Sequence, residues 1–165
     1  MSTRLCFLFL ERRWSYLNVT YSQYYAEVGS GIPISENRKD CQLTFGISVP
    51  PSFSFCITST TSHGFYFLDS GVTASQKAFY YFQGSSDQVT AQSNISGPVP
   101  GALYSYTAPF SLVFTNMSPC GSRTVLNIDT EVCASDNDNH SGEGFIANDS
   151  SDFSQSFHFV WQTCS

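Results

Sequence analysis

The stretch Cys41-Gln42-Leu43-Thr44-Phe45-Gly46-Ile47-Ser48-Val49 alternates with a period of two. Cys41, Leu43, Phe45, Ile47 and Val49 fall on one side, and Gln42, Thr44, Gly46 and Ser48 on the other. That pattern belongs to a strand with one face in water and one against a core. Pro50-Pro51 ends it, because proline donates nothing to a ladder. The same period recurs on either side. Phe53 to Thr58 alternates, and Phe65 to Leu68 reads as a short aromatic strand closed by the turn residues Asp69-Ser70-Gly71. Ala78 to Gln83 is another strand, closed by Gly84-Ser85-Ser86-Asp87. Val19 to Tyr25 reads as the first full strand and Gly97 to Gly101, with its two prolines, as a loop. Leu103 to Thr107 and Leu112 to Thr115 follow as strands. Leu126, Ile128, Thr130 and Val132 share one face of the next, and Ser135 to Gly144 is a polar loop. Phe157, Phe159 and Trp161 share a face of the last strand and, like Phe53 and Phe55, are assigned to the core. Helical periodicity is almost absent. Nine or so short strands separated by turns predict an all-β chain, an antiparallel β-sandwich, with a partly closed barrel as the alternative.

Composition narrows the function classes. The 165 residues include 13 acids and 7 bases, for a net charge of −6, and no basic stripe. Such a chain is a poor nucleic-acid binder, having little with which to displace phosphate counterions. Hydrophobic residues are 41% and aromatics 16%, which excludes intrinsic disorder. No apolar run approaches the 18 residues or so that a membrane-spanning helix needs.

Six cysteines, Cys6, Cys41, Cys56, Cys120, Cys133 and Cys164, are widely spaced with no C-x-x-C pair. Zinc sites draw thiolates from close pairs, so the dispersed, even count points to disulfides and an oxidising compartment. Fifteen connectivities are open to six cysteines. Five N-x-[ST] sequons agree with export: Asn18-Val-Thr20, Asn94-Ile-Ser96, Asn139-His-Ser141, Asn148-Asp-Ser150 and, weakest because Pro119 follows it, Asn116-Met-Ser118. The amino terminus does not agree. Leu5 to Leu10 is only six apolar residues long, Glu11-Arg12-Arg13 interrupts it, and no small-residue cleavage site follows. The expectation is that residues 1–13 stand apart from the fold and that 14–165 form a single sandwich domain.

Catalytic motifs are missing. The sequence has neither H-E-x-x-H nor G-x-S-x-G. His63 reads as a turn residue at a strand entrance, and His158 as an ordinary strand residue. Asp69, Asp129, Glu131 and Asp149 are the carboxylates available for glycoside hydrolysis, with Asp129 and Glu131, two apart, on one face. Asp136-Asn137-Asp138-Asn139 has calcium-loop composition, but Ser141 and Ala147 stand where an EF-hand needs Gly and Glu. No metal and no cofactor is expected. Tyr66, Tyr80, Tyr104 and Tyr106 lie on strands whose other face is read as buried. Planar rings with a polar tip suit sugar faces, so Tyr66, Tyr104 and Tyr106 are the candidate ligand-binding residues.

Several blocks of the chain are familiar in their order: Tyr25-Ala26-Glu27-Val28-Gly29, Arg38-Lys39-Asp40-Cys41-Gln42-Leu43, His63-Gly64-Phe65, Leu68-Asp69-Ser70-Gly71-Val72, Tyr80-Tyr81-Phe82, Ser96-Gly97-Pro98, Ser118-Pro119-Cys120-Gly121, Leu126-Asn127-Ile128 and Trp161-Gln162-Thr163-Cys164. Together they resemble a fungal secreted-protein family catalogued as domain of unknown function forty-three sixty, over about residues 14–165. The resemblance implies secretion and a β-rich fold, and no activity. It implies a bridge between Cys120 and Cys164, closing a loop of about 45 residues. Cys56 and Cys133 are additional to the family pattern and are expected to pair with each other. Cys41 lacks its upstream family partner unless Cys6 substitutes, because the family's leader and Gly-Cys-Pro element are absent. The residues as a whole are read as a secreted, non-catalytic binding or surface-interaction domain. Cell-wall polysaccharide and a host surface protein are the candidate partners, and a glycan-active enzyme is the alternative.

Overall fold

The structure, a computed structural model, describes residues 7–21, 23–110, 117–147 and 154–165. Among them are eleven strands and no α-helix: β1 (Phe7–Arg12), β2 (Tyr16–Tyr21), β3 (Tyr25–Val28), β4 (Arg38–Ser48), β5 (Phe53–Leu68), β6 (Thr73–Phe82), β7 (Val89–Ser96), β8 (Val99–Pro109), β9 (Arg123–Ser135), β10 (Gly144–Ala147) and β11 (Ser154–Thr163). All pairings are antiparallel. One sheet runs β4-β9-β6-β7. The other runs β1-β2-β11-β5-β10-β3, with β8 on the remaining side of β5. The two sheets stay separate and pack face to face, so the architecture is the β-sandwich rather than the barrel.

Strand β4 matches its sequence pattern. Cys41 and Leu43 are buried, Phe45 and Ile47 half-buried, and Gln42, Thr44, Gly46 and Ser48 exposed. In β9, Leu126, Ile128, Thr130 and Val132 all point into the core, as their spacing requires. Strand β5 differs from expectation. It is one strand of 16 residues, not two short ones. Its ladder to β11 pairs Ile57 with Phe159 and Ser59 with His158, so Thr58 is left over as a bulge. One extra residue reverses the phase of everything after it. Phe55 and Ile57 face inward before the bulge; Thr60, Ser62 and Leu68 face inward after it.

Other segments differ as well. Residues 1–13 were expected to stand apart, yet Phe7–Arg12 forms β1 and pairs with β2 from Phe7↔Tyr21 to Arg12↔Leu17. Val99 to Gly101 belongs to β8 rather than to a loop. Strands β7 and β10 have no counterpart in the sequence reading. The expected strand Leu112 to Thr115 lies outside the described residues, as do Cys6, Asn116, Asn148 and Asp149.

Thr60, which the bulge turns inward, joins a buried chain of hydrogen bonds. Tyr21 Oη donates to Gln155 Oε1 at 2.7 Å, and Gln155 Nε2 donates to Thr60 Oγ1 at 2.9 Å. Tyr24 stacks on Tyr21 with ring centroids 4.5 Å apart, but its buried hydroxyl makes no hydrogen bond among the described residues. The two tyrosines should therefore respond oppositely to loss of the hydroxyl. Tyr21→Phe orphans a buried Gln155 oxygen and is expected to cost about 1–2 kcal/mol, whereas Tyr24→Phe removes an unsatisfied group and should be neutral or stabilising. Urea midpoints of the two variants test this; equal destabilisation would contradict the network.

Cys120 and Cys164 are joined, with Cα atoms 6.0 Å apart, and Cys41 is disulfide-bonded as well. The expected Cys56–Cys133 bond is not made: both are free thiols. The reason is geometric. Cys56 lies between the inward-facing Phe55 and Ile57 of β5, so it points away from the core of its sheet; Cys133, between the inward-facing Val132 and Ala134 of β9, points away from the core of the other. A whole sandwich, two sheets about 10 Å apart, stands between their side chains.

Candidate functional site

The turn between β1 and β2 carries Arg13, Trp14 and Ser15. It is closed by Arg13 N–H donating to Tyr16 O at 2.9 Å, and it is stapled to β11, where Phe159 N–H donates to Ser15 O at 2.8 Å. Trp161, on the same strand, donates its indole Nε1–H to Trp14 O at 2.6 Å. The two indoles meet edge to face with centroids 5.5 Å apart. Trp14 is thus held by backbone, hydrogen bond and ring contact while 72% exposed. Burying a large aromatic is one of the strongest favourable terms a chain has, so a tryptophan fixed in an exposed position stands out.

Beside this pair runs a groove of about 610 Å³, bounded by Trp14, Trp161, Leu17 and Phe159 on one sheet and by Phe45, Ile47 and Leu126 on the other, with Arg13 and Ser48 as polar neighbours. A second lobe of about 370 Å³ continues past Trp14 and Trp161 to Pro50 and Phe53. Strand β4 forms one wall because it is an edge strand, so the inward-facing Phe45 and Ile47 are covered on only one side. Behind the groove the aromatics are continuous with the core. Trp161 lies 5.0 Å from Phe55, Phe55 lies 5.4 Å from Phe82, and Phe82 lies 6.0 Å from the wholly buried Tyr80. The platform rests on packed rings, which keep it rigid.

The residues chosen from sequence fall elsewhere. Tyr66 and Tyr104 face inward and pack edge to face at 5.1 Å against the core. Tyr104 Oη is bonded to Gln76 Nε2 and donates to Ala147 O at 3.4 Å. Tyr80 is fully buried, its hydroxyl donating to Ile57 O at 3.1 Å. Only Tyr106, 47% exposed, is accessible, and it is not part of the groove. The tyrosines were placed on the wet face because the bulge in β5 and the inward phase of β8 are invisible in a polar sequence. Trp161 was assigned wholly to the core by its spacing from Phe157 and Phe159, and it is a groove residue. Trp14 went unnoticed. Its signal is an isolated tryptophan between Arg13 and Ser15.

The carboxylates do not form a catalytic pair. Asp129 and Glu131 share a face, but it is the open outer face of the β4-β9-β6-β7 sheet, where Asp129 lies opposite Gln42 and Phe79 and Glu131 opposite Asp40 and Lys77. Glu131 accepts from Arg38 at 2.6 Å. Burial, then the nearby Asp40 charge, raises the Asp129 carboxyl above its ordinary value, but among the described residues no second acid faces it across a cleft. Asp69 is a turn residue, its Oδ2 accepting from Glu143 N–H at 2.8 Å. His63 sits mid-strand in β5 opposite Ser105, not at a strand entrance, and His158 Nε2 contacts Thr61 Oγ1 at 3.3 Å. Among the described residues no three His, Cys, Asp or Glu side chains converge as metal ligands. In the Asp136 to Asn139 loop, Asn139 Nδ2 donates to Ser70 O at 2.8 Å, bracing the Asp69-Ser70-Gly71 turn instead.

No helix among the described residues is long and apolar enough to cross a membrane. A solved structure of TmCBM61 in complex with beta-1,4-galactotriose covers 90% of this chain and 70% of its own, at 8% identity and a TM-score of 0.27, which is too low to carry an argument about this chain. An uncharacterized secreted protein of Arthroderma benhamiae is 34% identical over 150 residues, 90% of this chain and 60% of that relative. The chain therefore spans about 60% of the relative's length. Residues 10–164 match the family described as a domain of unknown function, DUF4360. Strand for strand, the blocks that suggested that family make up the sandwich, and the chain belongs to it.

Proposed function

We propose that this chain is an extracellular binding domain without catalytic machinery, and that it seats a polysaccharide against the Trp14–Trp161 platform. The observation that carries the reading is Trp14, exposed yet immobilised by Trp161 through a ring contact and a 2.6 Å hydrogen bond. A ring fixed in advance loses little entropy when a ligand stacks on it. Sugar rings offer apolar C–H faces for such stacking and hydroxyls for polar neighbours, here Arg13 and Ser48. The groove falls within the roughly 300–1,000 Å³ of small-ligand sites. A relative described as secreted and a Cys120–Cys164 bridge, a bond that persists in oxidising compartments, support an extracellular setting.

Retention on insoluble chitin, β-glucan and cellulose tests the proposal. The expected result is retention on at least one, reduced tenfold or more by Trp14→Ala. That substitution should lower stability by no more than about 1.5 kcal/mol, since the exposed ring contributes little beyond its edge-to-face contact. Retention on none of the three would overturn the polysaccharide reading.

A further inference from the structure

We propose that Asn94 is an N-glycan acceptor of this chain, and that its glycan stands clear of the groove. The inference rests on the extracellular reading above, because the glycan donor is met only on the export route. Three of the sequons fall among the described residues, and the structure separates them. Asn18 lies on β2 between Glu11 of β1 and Ser156 of β11, half-buried, with Ser156 Oγ donating to its Oδ1. Asn139 uses its Nδ2 to hold Ser70 O, while its Oδ1 accepts from Ser141 N and Oγ at 3.3 and 3.0 Å. A Cβ built on Gly142 would lie 2.8 Å from Asn139 Nδ2, so the amide is closely packed against the turn as well as bonded to it. Asn94 is exposed on β7, and among the described residues its one side-chain hydrogen bond is an acceptor contact from Gln92 Nε2 at 3.2 Å. Its Nδ2 can carry a sugar while the Oδ1 contact is kept.

The place of β7 keeps such a glycan away from the groove. The nearest groove wall is Leu126 on β9, two strands from β7, about 10 Å at the usual strand spacing. Along β6, Asn94 lies opposite Ser75 and Leu126 opposite Phe82, so the two stand at opposite ends of the sheet.

In the transfer, Asn94 Nδ2 bonds to the anomeric carbon of a lipid-diphosphate-linked oligosaccharide. The bond from that carbon to the diphosphate oxygen breaks, the lipid diphosphate leaves with the electron pair, and one amide proton passes to base. The test is site-resolved mass spectrometry of the full chain exported by a eukaryotic host, before and after enzymatic deglycosylation. Asn94 is expected to be occupied in the exported protein and Asn139 unmodified, with Asn94→Gln losing one glycan mass. An exported chain bare at Asn94, or modified at Asn139 in its place, would overturn the assignment while leaving the groove reading untouched. Asn94→Gln should also keep the wild-type retention on polysaccharide; loss of retention would refute the separation of glycan from groove.

Discussion

Replacing both Cys120 and Cys164 by serine is expected to remove about 4 kcal/mol of stability. The bridge spans 44 positions, and loop-closure entropy for a ring of that size gives about that figure at room temperature. For a domain whose net stability is roughly 5–15 kcal/mol, the loss is a large share. The native contacts around the bridge do not depend on it. Ser118 N–H and Gly121 N–H donate to Phe55 O and Phe53 O, both at 2.8 Å, and Cys164 N–H donates to Ser52 O at 2.8 Å, so the serine variant keeps a template for the same fold. Its denaturation midpoint should fall sharply and its denaturant slope rise, as the unbridged unfolded chain exposes more surface. The double serine variant is the right comparison, because reductant would also open the bond at Cys41. A loss below about 1 kcal/mol would show that the unfolded chain does not gain the freedom assumed.

That pair was legible because the Cys120 and Cys164 blocks occur in the order of a known family. The free state of Cys56 and Cys133 was not, because which way each faces depends on strand phase. Phase is where reading along the sequence succeeds or fails in this chain. From Cys41 onward in β4, each inward position is apolar and each outward one polar or glycine, so the period declares the face. In β5, the inward set after the bulge is Thr60, Ser62, Gly64, Tyr66 and Leu68, and its first members look like a solvated loop. The hydrogen bond to Thr60 comes from Gln155, 95 positions away, which is itself held by Tyr21, 134 positions from Gln155. No local window contains that information. Strand β10 has four residues, too few for a period, and β7 alternates Ala91 and Ser93 inward, which carry little apolar signal.

The groove failed to declare itself for a related reason. Phe45, Ile47, Phe159 and Trp161 carry the pattern of core residues, and they do face inward. What makes them a site is that β4 is the last strand of its sheet and the β1–β2 turn lies beside it, a fact of topology. Trp14 is the exception, since a tryptophan between Arg13 and Ser15 is hard to explain as packing.

Raising the pH above 10 is expected to unfold the domain steeply, through its tyrosines. Tyr21, Tyr24 and Tyr80 are enclosed almost completely, and Tyr104 turns its hydroxyl inward to Gln76 and Ala147. Burial disfavours each phenolate and is the largest cause in all four, so their ionisation in the folded chain is pushed well above the ordinary value of 10.0. The sign follows. A group whose folded pKa is raised holds its proton in the native state after the unfolded chain has lost it. Its contribution is complete below about pH 10 and is lost as pH climbs from there towards the folded value. Each such phenol costs about 1.4 kcal/mol per pH unit in that window, so Tyr21, Tyr24 and Tyr80 together give about 4 kcal/mol per unit, and Tyr104 adds to it. The enclosed ones should ionise only in step with loss of β-sheet circular dichroism. A titration in which Tyr21, Tyr24, Tyr80 and Tyr104 ionise near pH 10, with the sheet signal unchanged, would mean that these hydroxyls reach water and that the interior is not closed around them.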